Sequence, residues 1–251
     1  MFKVTISDAK SLRDIITAVA TLVDEATFEV DENGIKLREM DPSRVAMIDF
    51  YWPKSAFEEY ICTEPTKLCL NITEFLKLIK RAGKSDAVEL SLDEEAGRLN
   101  ITIRGSYTRT FNMPLLEAME EEVPTPRIIF NAKAQVTTSG IRQAIDDASL
   151  VSDHVRIEAN EESLILRATG ELMGAVIELK KGSDALISLE VKEDSKATFS
   201  LSYLAEIIRA ASATSEIATL EFSTDMPIRI DFKQPNEGSL IYYLAPRIEG
   251  D

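Results

Sequence analysis

Four cations within fifteen residues are the part of this sequence best suited to meeting phosphate. In residues 70–84, LNITEFLKLIKRAGK, Lys77, Lys80, Arg81 and Lys84 recur at i, i+3, i+4 and i+7. Phe75, Leu78, Ile79 and Ala82 recur at helical spacing on another face. Only Glu74 opposes the cations. The whole chain carries a formal charge of -15, so this stretch is a local inversion of sign. A solvated helix face is the plain reading of such a row, because charged side chains are mostly exposed. A surface that touches a polyanion is the functional one.

Groups that could catalyse are sparse. Gly83-Lys84-Ser85 resembles the end of a phosphate-binding loop, but that loop needs a glycine where Leu78 stands, and a strand rather than a helix before it. His154 is the only histidine, so triads and histidine metal sites lack their usual parts. Acids cluster at residues 93–95 and 120–122, where neighbours on a turn or a linker point in different directions. The two sequons, at Asn71 and Asn100, carry no weight in a chain placed inside the cell. Cys62 and Cys69 suit a reducing compartment, and no second pair completes a zinc pattern. These absences favour a binding protein with no cofactor and no catalytic residue over a metal-dependent hydrolase or nucleotide-binding enzyme, which magnesium-dependent activity of the pure protein would reveal.

The elements that position the cations repeat. Residues 70–82 align with residues 199–211 at an offset of 129, which puts Ile79 on Ile208, Lys80 on Arg209 and Ala82 on Ala211. The same gap-free offset puts Arg13 on Arg142, Ile16 on Ile145, Asp24 on Asp153, Glu29 on Glu158, Leu37 on Leu166 and Arg38 on Arg167. Two matches at one offset and in one order imply an internal duplication. The helix positions that repeat as cations are 13 with 142 and 80 with 209.

A length of 251 residues with 45% hydrophobic content fits two domains of ordinary size. No apolar run approaches the roughly 20 residues that span a bilayer, and residues 1–6 read as a strand rather than a leader, so the expected compartment is the cytoplasm or a nucleus, with no membrane partner. A pI near 4.7 repels nucleic acid on average. At a screening length of roughly 8 Å, however, a ligand feels the face it touches.

Alternation gives a strand at 2–6 and a helix capped by Ser7 or Asp8, with Leu12, Ile15, Ile16, Val19, Leu22 and Val23 inward and Lys10, Arg13, Thr17 and Thr21 outward. Strands at 27–30 and 35–39 flank Asn33-Gly34, a strong hairpin signal. Further strands follow at 45–52, 59–63, 87–92, 98–104 and 108–115. Residues 116–127, LEAMEEEVPTPR, have no alternation, three consecutive glutamates and two prolines, and read as an extended linker. The expected fold is α+β, with two duplicated domains at 1–115 and 128–251, each mostly antiparallel sheet with two helices.

This organisation resembles the DNA sliding clamp family of the archaeal and eukaryotic type, the proliferating cell nuclear antigens, over the whole chain. Met40-Asp41-Pro42-Ser43-Arg44-Val45, Leu70-Asn71-Ile72-Thr73 and Tyr242-Tyr243-Leu244-Ala245-Pro246-Arg247-Ile248 are the most specific pieces. The resemblance implies a DNA polymerase processivity factor: a ring of three subunits, identical or shared with paralogues, with helices around a central hole and sheets outside. Lys10, Arg13, Lys77, Lys80, Arg81, Lys84, Arg142 and Arg209 would then face duplex DNA and meet phosphates rather than base edges. The sequence departs from the family at Gln143, Asp146 and Ser202, where cations are common, so the second half is expected to be less basic.

The resemblance further implies that the strand around 108–115 of one subunit adds to the strand around 172–181 of the next. Thr108, Arg109, Phe111, Met113, Asp147, Ala175 and Ile177 fall at that interface, and an Arg109–Asp147 pair across it is expected. A groove for short client peptides would comprise Met40, Arg44, Val45, Met47, Pro227, Tyr243, Leu244, Ala245 and Pro246, with Met119, Val123 and Pro124 from the connector. The implied clients are DNA polymerase, flap endonuclease, DNA ligase and the clamp loader, which supplies the ATP hydrolysis. A clamp-fold scaffold that does not itself hold DNA is the competing reading; such a scaffold has no need of the basic row.

Overall fold

The computed structural model describes residues 1–118 and 123–248 and divides the chain into two compact units. The first comprises residues 1–42, 48–123 and 234–240; the second comprises 43–47, 124–233 and 241–251.

In the first unit, β1 (Phe2–Ile6) leads into α1 (Ala9–Val19), then β2 (Glu25–Val30), β3 (Gly34–Met40) and β4 (Ala46–Pro53). After these come β5 (Glu59–Cys62), β6 (Thr66–Asn71), α2 (Ile72–Ile79), β7 (Ala87–Asp93), β8 (Arg98–Arg104) and β9 (Thr108–Pro114). The strands form one sheet in the order β5-β1-β7-β8-β9 and a run in the order β4-β3-β2-β6. Phe2, Phe28 and Phe50 of the strands meet Ile15, Ile16 and Phe75 of the two helices around one apolar space, and Val4, Leu37, Val88, Ile72 and Ile79 are buried with them. Burying side chains of this size stabilises by about 1.5–3 kcal/mol each, so the helices are held by their apolar faces.

The second unit repeats the plan. Its elements are β10 (Ala132–Thr137), α3 (Thr138–Ser149), β11 (His154–Ala159), β12 (Ser163–Thr169), β13 (Gly174–Lys180) and β14 (Leu186–Val191). The chain continues through β15 (Ser195–Ser200), α4 (Leu201–Ala211), β16 (Ile217–Phe222), β17 (Ile228–Lys233) and β18 (Ser239–Leu244). The orders are β14-β10-β16-β17-β18 and β13-β12-β11-β15. Shifted by 129, each strand and α-helix of the first half falls within about three residues of one in the second, so the offset read from two helices extends to the whole fold.

Local chemistry sets the helix starts. Asp8 Oδ1 accepts the Lys10 amide at 3.0 Å, Asn71 Oδ1 accepts the Glu74 amide at 2.9 Å, and Thr137 Oγ1 accepts the Gly140 amide at 3.2 Å. One expectation needs correction. The helix read across residues 70–84 is shorter: Leu70 and Asn71 end strand β6, and the helix stops at Ile79. Strand β6 escaped the alternation rule because Leu68, Cys69 and Leu70 are all buried. The 31–34 hairpin forms as expected, with Glu29 opposite Lys36 and Val30 opposite Ile35, but without positive φ at Asn33 or Gly34. Asp31 Oδ1 accepts the Asn33 and Gly34 amides instead, and a Cβ on Gly34 would lie 2.2 Å from the Trp52 carbonyl oxygen. Close approach, not turn geometry, requires glycine there.

Candidate nucleic-acid interface

Helices α1 and α2 pack side by side in the first unit, as α3 and α4 do in the second. Each presents its polar face away from the sheet it covers. Lys10 and Arg13 lie half-buried on α1, where Lys10 pairs with Asp14 one turn on. Lys77 is exposed on α2 and pairs with Glu74 at 2.6 Å. Lys80 is the C-cap of α2, and Arg81 and Lys84 lie in the turn that follows. All three are exposed, and their side chains form no ion pair among the described residues. Cations at this end of a helix also complement its dipole.

The turn is held in place by a residue the sequence did not single out. Asp86 Oδ2 accepts the Gly83 amide at 2.9 Å and Arg109 Nη2 at 2.7 Å, while Arg109 Nη2 also donates to the Arg81 carbonyl at 3.0 Å. The Arg109 guanidinium carbon sits 4.7 Å from the centre of the Tyr107 ring. Arg109, expected to pair with Asp147 of a neighbouring subunit, is thus engaged by Asp86 within its own unit. An acid closing a Gly-Lys-Ser-Asp turn was the available signal.

In the second unit Arg142 is exposed, 3.8 Å from Asp146, and Arg209 is exposed in the last turn of α4. Asp146, Asp147 and Glu206 share these outer faces.

The expected subunit contact falls on two edge strands. Strand β9 ends one sheet, β13 ends another, and the two share one unbroken alternation of exposed and covered positions. Thr108 is exposed; Arg109, Phe111, Ala175 and Ile177 are half-buried; Asp147 is exposed on α3. Met113 is buried in its own unit opposite Leu99, so it supports β9 from inside. Beside the β9 edge Tyr107 is 62% exposed, and at the β13 edge Leu172 is 95% and Val176 62% exposed, uncovered side chains that residue-type reasoning did not single out.

The expected client-groove residues divide between the units. Arg44 is exposed with φ 57°, and in the second unit the Val45 carbonyl accepts the Ala245 amide at 2.9 Å. Pro124 is exposed, and Pro227, Tyr243, Ala245 and Pro246 are half-buried. Met47 and Leu244 are buried, Leu244 completely, because β18 alternates and sends Leu240, Tyr242 and Leu244 inward. In the first unit Met40 is half-buried, and Arg38 reaches from its ion pair with Asp49 to the Val123 carbonyl at 3.4 Å. Met119 lies outside the described residues. Among the described residues no group of three or more metal-binding side chains forms, and no helix is long and apolar enough to cross a membrane.

Comparison with known proteins agrees with this geometry from end to end. Residues 1–123 match the family model for the proliferating cell nuclear antigen N-terminal domain, and residues 125–247 match that for its C-terminal domain. The chain is 38% identical over 247 residues to the DNA polymerase sliding clamp of Cenarchaeum symbiosum, covering 98% of both chains. It is 37% identical over 248 residues to that of Pyrococcus furiosus, covering 99% of both. Among solved structures it is similar to the proliferating cell nuclear antigen of Thermococcus kodakaraensis, with a TM-score of 0.94 at 27% identity over 98% of this chain and 100% of that one. A complex of two such proteins from Sulfolobus tokodaii, PCNA2 and PCNA3, contains a chain matched at a TM-score of 0.90 and 28% identity, over 98% of this chain and 100% of that one. With both domain models matched and nearly every residue covered, the chain belongs to the proliferating cell nuclear antigen family.

Proposed function

We propose that this chain is a DNA sliding clamp, a non-catalytic processivity factor that closes around duplex DNA as a trimeric ring and tethers replication and repair enzymes. The observation that carries the reading is the set of exposed cations Lys80, Arg81 and Lys84 beside α2 in a chain of net charge -15, together with a family match over the whole length. The family's relatives are named DNA polymerase sliding clamps.

The mechanism is physical rather than chemical. Lys10, Arg13, Lys77, Lys80, Arg81, Lys84, Arg142 and Arg209 meet phosphates and read no sequence. A pair of unit charges 4 Å apart in water is worth roughly 1 kcal/mol, weak enough to exchange as the ring moves. Retention comes from closure of the ring.

Closure is assigned to β9 of one subunit and β13 of the next, through Thr108, Arg109, Phe111, Ala175 and Ile177, with the exposed Tyr107, Leu172 and Val176 covered on assembly. Such a head-to-tail contact uses two different patches and closes when its rotation does. The repeat supports it: shifted by 129, β9 corresponds to β18 and β13 to β4, so a contact between copies would join strands of kinds the chain already holds twice.

Clients, namely DNA polymerase, flap endonuclease, DNA ligase and a clamp loader, are assigned to Met40, Arg44, Val45, Val123, Pro124, Pro227, Tyr243, Ala245 and Pro246. The corresponding domain division is 1–115 and 128–251 with a connector between. The complex of two different relatives from Sulfolobus tokodaii gives a second reading weight, that the ring is shared with paralogues. Sedimentation of the pure chain separates the two: a mass of three chains is expected, and a monomer that assembles only with a second clamp-like chain overturns the homotrimer.

A further inference from the structure

The repeat allows the two helix layers to be compared position by position. Shifted by 129, Lys77 falls on Glu206, Lys80 on Arg209, Arg81 on Ala210 and Lys84 on Ala213. Lys10 falls on Ser139, Arg13 on Arg142 and Thr17 on Asp146. One position is reversed in sign, and three cations of the first unit have no charged counterpart. Against Asp14 and Glu74, the first unit sets Lys10, Arg13, Lys77, Lys80, Arg81 and Lys84. Against Asp146, Asp147 and Glu206, the second sets only Arg142 and Arg209, and Arg142 already faces Asp146 at 3.8 Å.

The backbone differs in the same sense. Helix α4 runs on to Ala211, whereas α2 stops at Ile79 and gives way to the turn carrying Arg81 and Lys84. Asp86 closes that turn by accepting the Gly83 amide, and Arg109 fixes the Arg81 carbonyl. The counterparts of Asp86 and Arg109 in the second half are Ser215 and Gly238, so neither half of this brace is repeated. A fixed turn presents its cations with less motion to lose on binding, and at a screening length of roughly 8 Å each layer acts on the phosphates nearest to it.

We propose that the first unit supplies most of the hold on DNA: the turn of Lys80, Arg81 and Lys84, braced by Asp86 and Arg109, makes the principal phosphate contacts with its neighbours on α1 and α2, while Arg142 and Arg209 of the second unit add little. Each subunit then offers one main holding patch rather than two equal ones. This rests on the sliding-clamp reading.

The test is binding of the assembled protein to a short linear duplex, followed by fluorescence anisotropy across a salt titration. The slope of log K against log salt falls by about 0.9 for each phosphate contact removed. Changing Lys80, Arg81 and Lys84 together to alanine is expected to remove most of the wild-type slope. Changing Arg142 and Arg209 to alanine is expected to leave at least four-fifths of it, and Glu206→Lys to steepen it. All these positions are exposed, and an unchanged sedimentation mass verifies folding and assembly. Equal losses from the two alanine sets, in a protein whose wild type stays on closed circular DNA, overturn this inference alone. A wild type with no salt-dependent binding and no retention on circles overturns the clamp reading with it.

Discussion

Arg109 Nη2 lies 2.7 Å from Asp86 Oδ2, and the same carboxylate oxygen accepts the Gly83 amide at 2.9 Å. Both side chains are mostly covered, at 21% and 16% exposure, so solvent screens this pair less than the lysine pairs on the helix surfaces. It joins the edge strand β9 to the turn that carries the cations. Asp86→Ala would leave the Gly83 amide and the Arg109 guanidinium without their acceptor, and a charged hydrogen bond of this kind is worth about 1.5–3 kcal/mol. The expected loss, about 2 kcal/mol in urea unfolding, should be smaller for Asp86→Asn, which keeps an acceptor. Equal stability of Asp86→Ala and wild type would contradict the brace.

Gly34→Ala tests packing between strands. The new Cβ would meet the Trp52 carbonyl oxygen at 2.2 Å and Pro53 Cα at 2.9 Å, both backbone atoms that cannot swing aside. Overpacking of this kind costs about 1–3 kcal/mol, and the variant should unfold at correspondingly lower urea. Gly97 is a useful contrast: φ is +60° and nothing lies within 4 Å of a Cβ there, so Gly97→Asn should cost less than Gly34→Ala.

Much of this fold was legible because its signals are local. Alternation placed β1, β7, β8 and β9, and the offset of 129 between Lys80 and Arg209 carried the duplication. What stayed hidden depends on partners distant in sequence. The spacing of Lys77, Lys80, Arg81 and Lys84 looks helical, yet three of the four lie past the helix end in a turn closed by Asp86. The family resemblance alone puts Met47 and Leu244 in the client groove and carries no information on burial; both are buried in this chain.

Acid should weaken the start of α1. Burial opposes ionisation of Asp8, but the Ser11 hydroxyl and the Lys10 and Ser11 amides outweigh it and hold the carboxyl below its ordinary value. A carboxyl depressed on folding contributes stability above its unfolded pKa, and that contribution is lost as pH falls through the folded one. Asp8→Ala is therefore expected to cost about 1 kcal/mol at pH 7. The gap should narrow below about pH 4, where unfolded aspartates protonate. A gap that stays constant down to pH 3 would rule out the charged cap.

Placing charge on the β13 edge tests the assigned junction. Ile177 is half-buried on an open strand with Val176 exposed beside it. Ile177→Asp should raise the subunit dissociation constant at least about tenfold, or about 1.4 kcal/mol, read by sedimentation across a dilution series. Far-ultraviolet circular dichroism should not change. A trimer as tight as wild type would move the junction elsewhere.

The central claim is that the protein is held on DNA by encirclement. The most direct measurement loads it onto a nicked circular duplex with a clamp loader, isolates the complex in high salt, and then cuts the circle once. The protein should stay on the intact circle and run off after cutting, with a half-life set by DNA length and not by salt. Dissociation from intact circles at the same rate as from linear DNA would show that contact rather than closure holds it, and would contradict the account.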